Sequence, residues 1–202
     1  MEVTAADLVD GGARHRWPDG AESELVVVRG PALLVGSEGL VWFDPFLTSD
    51  ACAAPLEEGP HVTASSVVEW PPGPVRPQGA RAGAAAVVGD PAAVVQWHRL
   101  LEPDGEPAEV GCSYGVVAVV VAESREQVAD AVASHPWLEP VVGQVQAEHV
   151  APLVIDGRVV GVAFDCGMGS SANLLWVGRA ADGRAVAVVA DLELLHEAAS
   201  PA

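Results

Sequence analysis

The sequence predicts an α+β fold, with predominantly antiparallel β-sheet built from about ten short strands and one or two helices. Three observations support this prediction. Short runs rich in Val and Ala alternate with Gly, Pro and Asp turn formers, two Asp-Gly turns each precede an alternating strand, and only two segments carry helical signals. The 202 residues are enough for one ordinary domain that buries a sizeable core.

A short helix is predicted at the start of the chain. Thr4-Ala-Ala-Asp7 has capping-box spacing, with Asp in place of Glu or Gln, and Gly11-Gly12 follows as a stop signal. Residues 13–23 are polar and turn-rich, so they are predicted to form a loop.

The middle of the chain is predicted to consist of short strands. The strand-like runs are ELVVVRG, ALLVG, LVWF, HVTASSVVEW, ARAGAAAVV and AVVQWHRLL. The third strand is expected to end at Asp44-Pro45, because proline cannot continue a β-ladder. PPGPVRP lacks backbone donors at four of its seven positions, so it is predicted to be an extended loop.

The second half of the chain is predicted to hold a central strand, a helix and two hairpins. YGVVAVVVA is an unbroken apolar run, as expected of a strand that is buried on both faces. The capping box Ser124-Arg-Glu-Gln127 predicts a helix over residues 124–134. Asp156-Gly and Asp182-Gly each start an alternating strand that an acid closes, which predicts two similar hairpins in one antiparallel sheet.

The chain is therefore interpreted as a single domain over residues 1–202. Residues 1–23 form an N-terminal helix and loop, residues 24–195 form the β-rich core, and residues 196–202 are a tail.

The charge of the chain limits its partners. Twenty-eight Asp and Glu face ten Arg and no Lys, which gives a formal charge of −18. Such a surface repels nucleic acid and anionic membranes and attracts a basic protein partner. The alternative is that the charge only keeps an apolar-rich chain in solution. The absence of Lys excludes Schiff-base chemistry by this chain.

Cysteine usage and the N-terminus predict a cytoplasmic protein. Cys52, Cys112 and Cys166 are an odd number without a C-x-x-C pair, so free, half-buried thiols are expected rather than a disulfide framework or a zinc site. MEVTAADL has neither the basic region nor the apolar run of a signal peptide, and no stretch is apolar for long enough to span a membrane. No cofactor is predicted.

Three stretches, in order and at matching spacing between residues 25 and 195, carry a family resemblance. LVGSEGLVWFDPF matches a strand–turn–strand ending in Asp-Pro, DPAAVVQWHRLL matches a later strand, and GMGSSANLLWVGRAADGRAVAVVADLELL matches a C-terminal hairpin. The chain thus resembles the bacterial domain-of-unknown-function family 4241. The resemblance implies a fold and no activity. At residues 169–174 and 114–119 this chain lacks acids that the family pattern has, so any chemistry of those acids would be lost here.

Three aspartates are candidates for catalysis. Asp44, Asp165 and Asp191 each close an apolar strand, where carboxylates can bind a divalent cation or act as an acid–base pair. The alternative is that each is a turn former that bonds its own backbone. The six histidines are scattered without metal-ligand spacing, so no metal site is predicted.

Cys166 precedes a Gly-Met-Gly-Ser-Ser loop, an arrangement that suggests a nucleophile. A nucleophilic thiol needs a base, and nothing in the sequence places the nearest histidine, His149, beside it. A buried small thiol is therefore the favoured interpretation.

The six tryptophans are predicted mainly to fill volume in a core of Ala and Val. Trp70 and Trp137 lie beside proline-containing segments and are expected to be exposed, so they are the candidate binding residues.

Three functional hypotheses remain open. The favoured one is an acidic interaction module, of immunity or accessory type, that binds a basic protein and performs no catalysis. The alternative is a metal-assisted hydrolase that uses the strand-end carboxylates. The third is a scaffold domain whose sheet edge pairs with a larger assembly.

Overall fold

A computed structural model describes residues 4–12, 14–16, 20, 22–70, 80–113, 115–133, 138–165 and 171–192. The α-helices within these residues are Ala5–Asp10 (α1), Arg125–Ala133 (α2) and Leu138–Glu148 (α3), and the 3-10 turns are Pro91–Ala93 and Ala122–Ser124. The strands within them are Arg14–Arg16 (β1), Glu22–Glu24 (β2), Val26–Arg29 (β3), Leu33–Val35 (β4), Leu40–Asp44 (β5), Leu47–Ala54 (β6), Gly59–Trp70 (β7), Ala80–Val88 (β8), Gln96–Arg99 (β9), Glu109–Cys112 (β10), Val116–Val121 (β11), Val150–Ile155 (β12), Arg158–Asp165 (β13), Ser171–Arg179 (β14) and Ala185–Leu192 (β15).

The strands form two large antiparallel sheets and one small one, so the predicted α+β class with dominant β-structure is confirmed. The eight-stranded sheet has the order β10-β14-β15-β8-β7-β3, with β4 also paired to β7 and β9 also paired to β14. The five-stranded sheet has the order β12-β13-β11-β5-β6. Strands β1 and β2 form a separate two-stranded sheet.

The two large sheets pack face to face around one apolar layer. Trp42 and Phe164 of the five-stranded sheet stack with ring centroids 6.1 Å apart and pack with Leu175 and Val188 of the eight-stranded sheet. Small Ala and Val side chains fill most of the remaining positions, and the two large rings fill the space that these small residues leave.

Helices cover the outer faces of both sheets. Helix α1 places Leu8 and Val9 on the eight-stranded sheet, and α2 and α3 place Val128, Val141 and Val145 on the five-stranded sheet. The predicted start of α1 is confirmed, because the Thr4 side chain accepts from the Asp7 amide while the Asp7 carboxylate accepts from the Thr4 amide. No helix in the described residues combines the length and the apolar composition needed to cross a membrane.

Strands β9 and β10 form one interrupted edge strand. The chain leaves β14 at Leu100, whose amide donates to the Leu175 carbonyl, and returns at Ala108, whose carbonyl accepts from the Leu175 amide. Residues 101–107 between these points form an excursion at the sheet edge, closed by a bridge between Leu101 and Pro107. We call this excursion the acidic hairpin, because it contains Glu102, Asp104 and Glu106.

Several local predictions are confirmed. The strand that Asp44-Pro45 was expected to end stops at Asp44, YGVVAVVVA contributes the middle strand of the five-stranded sheet, and residues 125–133 are helical.

Other local predictions need correction. Residues 14–16 and 22–24 pair as strands instead of forming a loop. The two Asp-Gly hairpins exist, but β12–β13 lies in the five-stranded sheet and β14–β15 in the eight-stranded sheet, so they do not share one sheet. Strand β6 and helix α3 were not predicted at all. PPGPVRP and the tail at residues 196–202 lie outside the described residues.

The cysteines also differ from the expectation of free, half-buried thiols. Cys52 is free, as expected, but it is buried rather than half-buried. Cys112 is disulfide-bonded, and its partner lies outside the described residues. The sequence prediction for Cys112 was therefore wrong, because an odd count with no C-x-x-C motif does not exclude one bridge between distant cysteines.

Candidate functional site

The three strand-end aspartates are all buried, with exposed fractions of 1% for Asp44, 7% for Asp165 and 3% for Asp191. They do not converge. Side chains alternate between the faces of a strand, so Asp191 lies on the face of Val189, in the outer layer that α1 covers. Asp165 follows the inward-facing Phe164 and lies on the opposite, outer face of the other sheet.

Asp44 occupies a third position, at the corner where β5 contacts β10. Its Oδ1 atom accepts from the Phe46 amide at 2.8 Å, which is the turn-forming role that the sequence left open. Its Oδ2 atom is buried without a hydrogen-bond partner in the described residues. A Cβ atom built on Gly111 would lie 3.6 Å from Oδ2, which is an ordinary van der Waals distance, so this oxygen faces Gly111 of β10.

The separation of the three carboxylates removes the geometric basis for a shared cation. Within the residues that the structure describes, no group of three or more His, Cys, Asp or Glu side chains could hold a metal ion. The structure thus does not bring Asp44, Asp165 and Asp191 together, although it places each at the end of a strand as the sequence indicated.

Asp165 is instead paired with His149. The His149 Nδ1 atom lies 2.7 Å from the Asp165 Oδ2 atom, and the Asp165 amide donates to the His149 carbonyl at 2.9 Å. The Asp165 side chain is 9% exposed, whereas the imidazole is 30% exposed. A carboxylate that accepts from Nδ1 orients the ring and leaves Nε2 as the proton acceptor, which is the arrangement of a general base.

His149 has this position because of an unusual helix end. It follows α3 directly, its amide donates to the Val145 carbonyl at 2.8 Å, and its φ is 63°. Left-handed conformation costs a non-glycine residue about 1 kcal/mol or more. Residues held in such conformations cluster at functional sites. Sequence reasoning named His149 but could not place it, because helix α3 itself was not recognised.

Cys52 and Glu102 form a second pair that the sequence did not reveal. The pKa of the Cys52 thiol is raised to about 12, first by burial and then by its hydrogen bond to the Glu102 carboxylate and the negative charge of that group. A thiol with this pKa is a poor nucleophile at neutral pH, because the thiolate is the reactive form. The influence of Glu102 on this pKa indicates that the first acid of the acidic hairpin lies near β6 of the opposite sheet.

The acidic hairpin carries exposed acids at the edge of the eight-stranded sheet. Glu102, Asp104 and Glu106 are exposed, as is Glu109, which follows the hairpin. The Asp104 Oδ1 atom accepts from the Glu106 amide at 3.1 Å, and the Glu106 carbonyl accepts from the Glu102 amide at 2.8 Å. These bonds hold a defined turn. In the described part of the chain, none of these four acids forms an ion pair with an arginine.

The tryptophans partly follow the prediction. Trp42 and Trp176 are buried and Trp97 is partly buried, which confirms the core role for these three. Trp70 ends β7, but its side chain lies outside the described residues, and Trp137 lies outside them altogether. Cys166, for which a buried thiol was the favoured interpretation, also lies outside the described residues. The proposed roles of these residues stay predictions.

Comparisons with known proteins found no protein similar to this chain. No family model matches the chain, and neither a curated protein nor a solved structure matches it. The resemblance to family 4241 therefore stays an expectation from the quoted motifs.

Proposed function

We propose that the protein is an acidic interaction module that binds a basic protein partner, with the acidic hairpin and Glu109 as its principal contact. The observation that carries this proposal is the position of four exposed acids without arginine partners in the described residues. Three of them lie on an excursion that leaves and rejoins one strand at the edge of the larger sheet, and Glu109 follows it at the start of β10.

The local geometry favours binding through this segment. Two prolines, Pro103 and Pro107, and the Asp104 turn restrict the hairpin, so little conformational entropy is lost on contact. Leu101, at its base, is 57% exposed and offers an apolar contact beside the acids. The formal charge of −18 steers a basic partner toward the molecule and disfavours nucleic acid or an anionic membrane.

A matched pair of neutralised variants tests the proposal. The hairpin variant Asp104→Asn, Glu106→Gln, Glu109→Gln keeps the Asp104 turn, since Asn also accepts through Oδ1. The control variant Glu123→Gln, Glu126→Gln, Asp130→Asn removes the same charge from positions in and beside α2. Each variant and the native chain would be immobilised and exposed to lysate of the source cell at low and then at moderate salt.

We expect the native chain and the control variant to retain the same basic protein at low salt, with less retained at moderate salt. The hairpin variant should retain at least tenfold less, since three rim charges at roughly 0.5 kcal/mol each total about 1.5 kcal/mol, and about 1.4 kcal/mol corresponds to a tenfold change in affinity. Retention of no protein at either salt, or equal loss in both variants, would contradict the proposal.

A second candidate function rests on the His149–Asp165 pair. It is a hydrolase in which His149 Nε2 accepts a proton from water as the water oxygen bonds to an ester carbonyl carbon. The same proton then passes to the departing alcohol oxygen as the acyl–oxygen bond breaks. This candidate replaces the metal-assisted version, because the described strand-end carboxylates do not share a cation position.

Hydrolysis of p-nitrophenyl acetate tests this second candidate. We expect turnover by the native chain, loss of most of it in His149→Gln and a smaller loss in Asp165→Asn. The control His98→Gln, an exposed histidine on β9, should leave it unchanged. Equal rates in His149→Gln and His98→Gln would remove the candidate.

A further inference from the structure

Strand β9 lies at an edge of the eight-stranded sheet, immediately before the acidic hairpin. Among the described strands it pairs only with β14. We propose that β9 receives an extended strand of the basic partner, whose main chain pairs with β9 while its basic side chains meet the acidic hairpin. This inference rests on the proposed function and adds the way in which the partner is held.

The main chain of β9 has free hydrogen-bonding groups on the side away from β14. The Leu100 amide donates to the Leu175 carbonyl, and His98 lies two residues before Leu100 on the same strand. Hydrogen-bonded and non-hydrogen-bonded positions alternate in an antiparallel pair, so the amides and carbonyls of Trp97 and Arg99 point away from β14. In the described part of the chain these groups have no hydrogen-bond partner. Such groups can pair with a strand of another chain.

Two other sheet edges are less suited to a basic strand. Strand β12, at an edge of the five-stranded sheet, contains Pro152, which has no amide proton to donate. Strand β3, at the opposite edge of the eight-stranded sheet, ends at Arg29, which forms an ion pair with Asp10. The exposed acids that follow β9 have no arginine partner in the described residues, so their charge is available to a basic strand.

The two faces of β9 differ, and the difference predicts the sequence of the incoming strand. Trp97 packs against the apolar cluster beneath α1, and the Arg99 guanidinium lies over the Trp176 ring of β14, 5.2 Å from its centroid. Gln96 and His98 are exposed on the opposite face. Paired residues place their side chains on the same face. Apolar residues of the incoming strand therefore fit beside Trp97 and Arg99, and basic residues fit on the face of Gln96 and His98.

Exposed apolar side chains flank β9 at both ends. Val95 precedes the strand and is 64% exposed, and Leu101 follows it and is 57% exposed. An extended strand of about six residues reaches from one to the other, at roughly 3.3 Å per residue. Contact with these side chains adds burial of apolar surface to the main-chain hydrogen bonds.

A capped octapeptide of alternating Lys and Val is the probe, titrated into the full chain at low salt and followed by two-dimensional NMR. We expect saturable shifts of the Trp97 and Arg99 amides. Two N-methylated forms of the peptide separate main-chain pairing from charge attraction, one methylated at every Val amide and the other at every Lys amide. Successive amides of a strand point to opposite sides, so only one form blocks pairing with β9. We expect that form to bind at least about tenfold more weakly than the other.

Two variants of one residue test the same pairing from the side of the protein. Arg99→Pro removes an amide that points away from β14, so the bonds between β9 and β14 are retained. Arg99→Ala removes the same side chain and keeps the amide. We expect Arg99→Pro to bind the unmethylated peptide about tenfold more weakly than Arg99→Ala, because the proline ring also occupies space that the incoming strand needs.

The outcomes distinguish this inference from the proposed function. Absence of saturable peptide binding, or equal binding of the two methylated forms, would overturn the pairing with β9. If the hairpin variant also binds the unmethylated peptide more weakly, equal binding of the methylated forms leaves the acidic contact in place and removes only the pairing. Unequal binding of the methylated forms, with unchanged binding by the hairpin variant, would support the pairing and contradict the acidic contact.

Discussion

Asp44 and Asp165 end two strands of the same sheet, on either side of β11, and both are almost completely buried, yet their carboxylates have different surroundings. The Asp165 Oδ2 atom lies 2.7 Å from the Nδ1 atom of His149. Asp44 bonds its own turn through Oδ1, and its Oδ2 atom faces Gly111.

The comparison shows that an acid at the end of an apolar strand is not by itself a functional signal. What distinguishes the two positions is a residue from another element. His149, the left-handed residue that follows helix α3, places its imidazole beside Asp165, whereas β10 places Gly111 beside Asp44. The same sequence feature therefore yields an acid–base pair in one place and a turn in the other.

The largest effect is expected from Asp165→Ala. It leaves the His149 ring without its acceptor in a mostly buried position, so we expect a loss of about 2–3 kcal/mol in the free energy of unfolding. Urea denaturation at pH 7 measures it. Asp182→Ala, an exposed hairpin aspartate, is the control and should cost less than Asp165→Ala. Equal losses would mean that the His149–Asp165 pair contributes nothing to stability.

Asp44→Asn and Asp165→Asn sharpen the comparison with a conservative change. At Asp44 the amide keeps the acceptor for Phe46 and removes a buried charge, so we expect stability to change by no more than about 1 kcal/mol, toward a gain. At Asp165 the amide weakens a charge-assisted bond, so we expect a loss of about 1–2 kcal/mol. The two denaturation midpoints should move in opposite directions. A loss at Asp44 equal to that at Asp165 would contradict the contrast.

The sequence predicted individual helices and strands of this molecule better than it predicted the residues that meet at the candidate site. Local patterns sufficed for α1, β5 and β11, because capping residues, proline and apolar runs act within a few residues. The helix α3 was missed because Pro140 and Gly143 weaken its helical signal, although proline is tolerated in a first turn. Missing α3 also meant missing the placement of His149.

The assignment of the two Asp-Gly hairpins to one sheet failed for a related reason. Their turns and alternation are local and were recognised, but which sheet a hairpin joins depends on long-range pairing that no window of sequence contains. The effect of Glu102 on the pKa of Cys52, a residue far away in the chain, is equally invisible in the sequence.

Cys52 provides a prediction at alkaline pH. Its pKa is raised from 9.0 to about 12 in the folded chain. Between these values the unfolded chain releases the thiol proton while the folded chain keeps it, so the folded state binds more protons and its stability falls as pH rises above 9. Glu102→Gln removes one cause of the raised pKa and should reduce this fall.

The rate of thiol alkylation reports how strongly burial and Glu102 suppress the thiolate form of Cys52. At about pH 8 we expect Cys52 to react with iodoacetamide at least tenfold more slowly than an unfolded cysteine, because its thiolate population is smaller. Glu102→Gln should accelerate the reaction, and Glu106→Gln, on the same hairpin, should not. Rapid alkylation of the native chain would show that Glu102 and burial do not protect the thiol.

The smallest effect on stability is expected from the hairpin variant, which should have the largest effect on binding. Neutralising Asp104, Glu106 and Glu109 changes the formal charge from −18 to −15, because three acids are removed. These side chains are exposed and support no ion pair in the described residues, so the free energy of unfolding should change by less than about 0.5 kcal/mol. Thermal denaturation measures this change beside the binding experiment. A large destabilisation would show that these acids stabilise the fold, as we expect of Asp165. It would also remove the argument that the acidic hairpin is exposed in order to bind a partner.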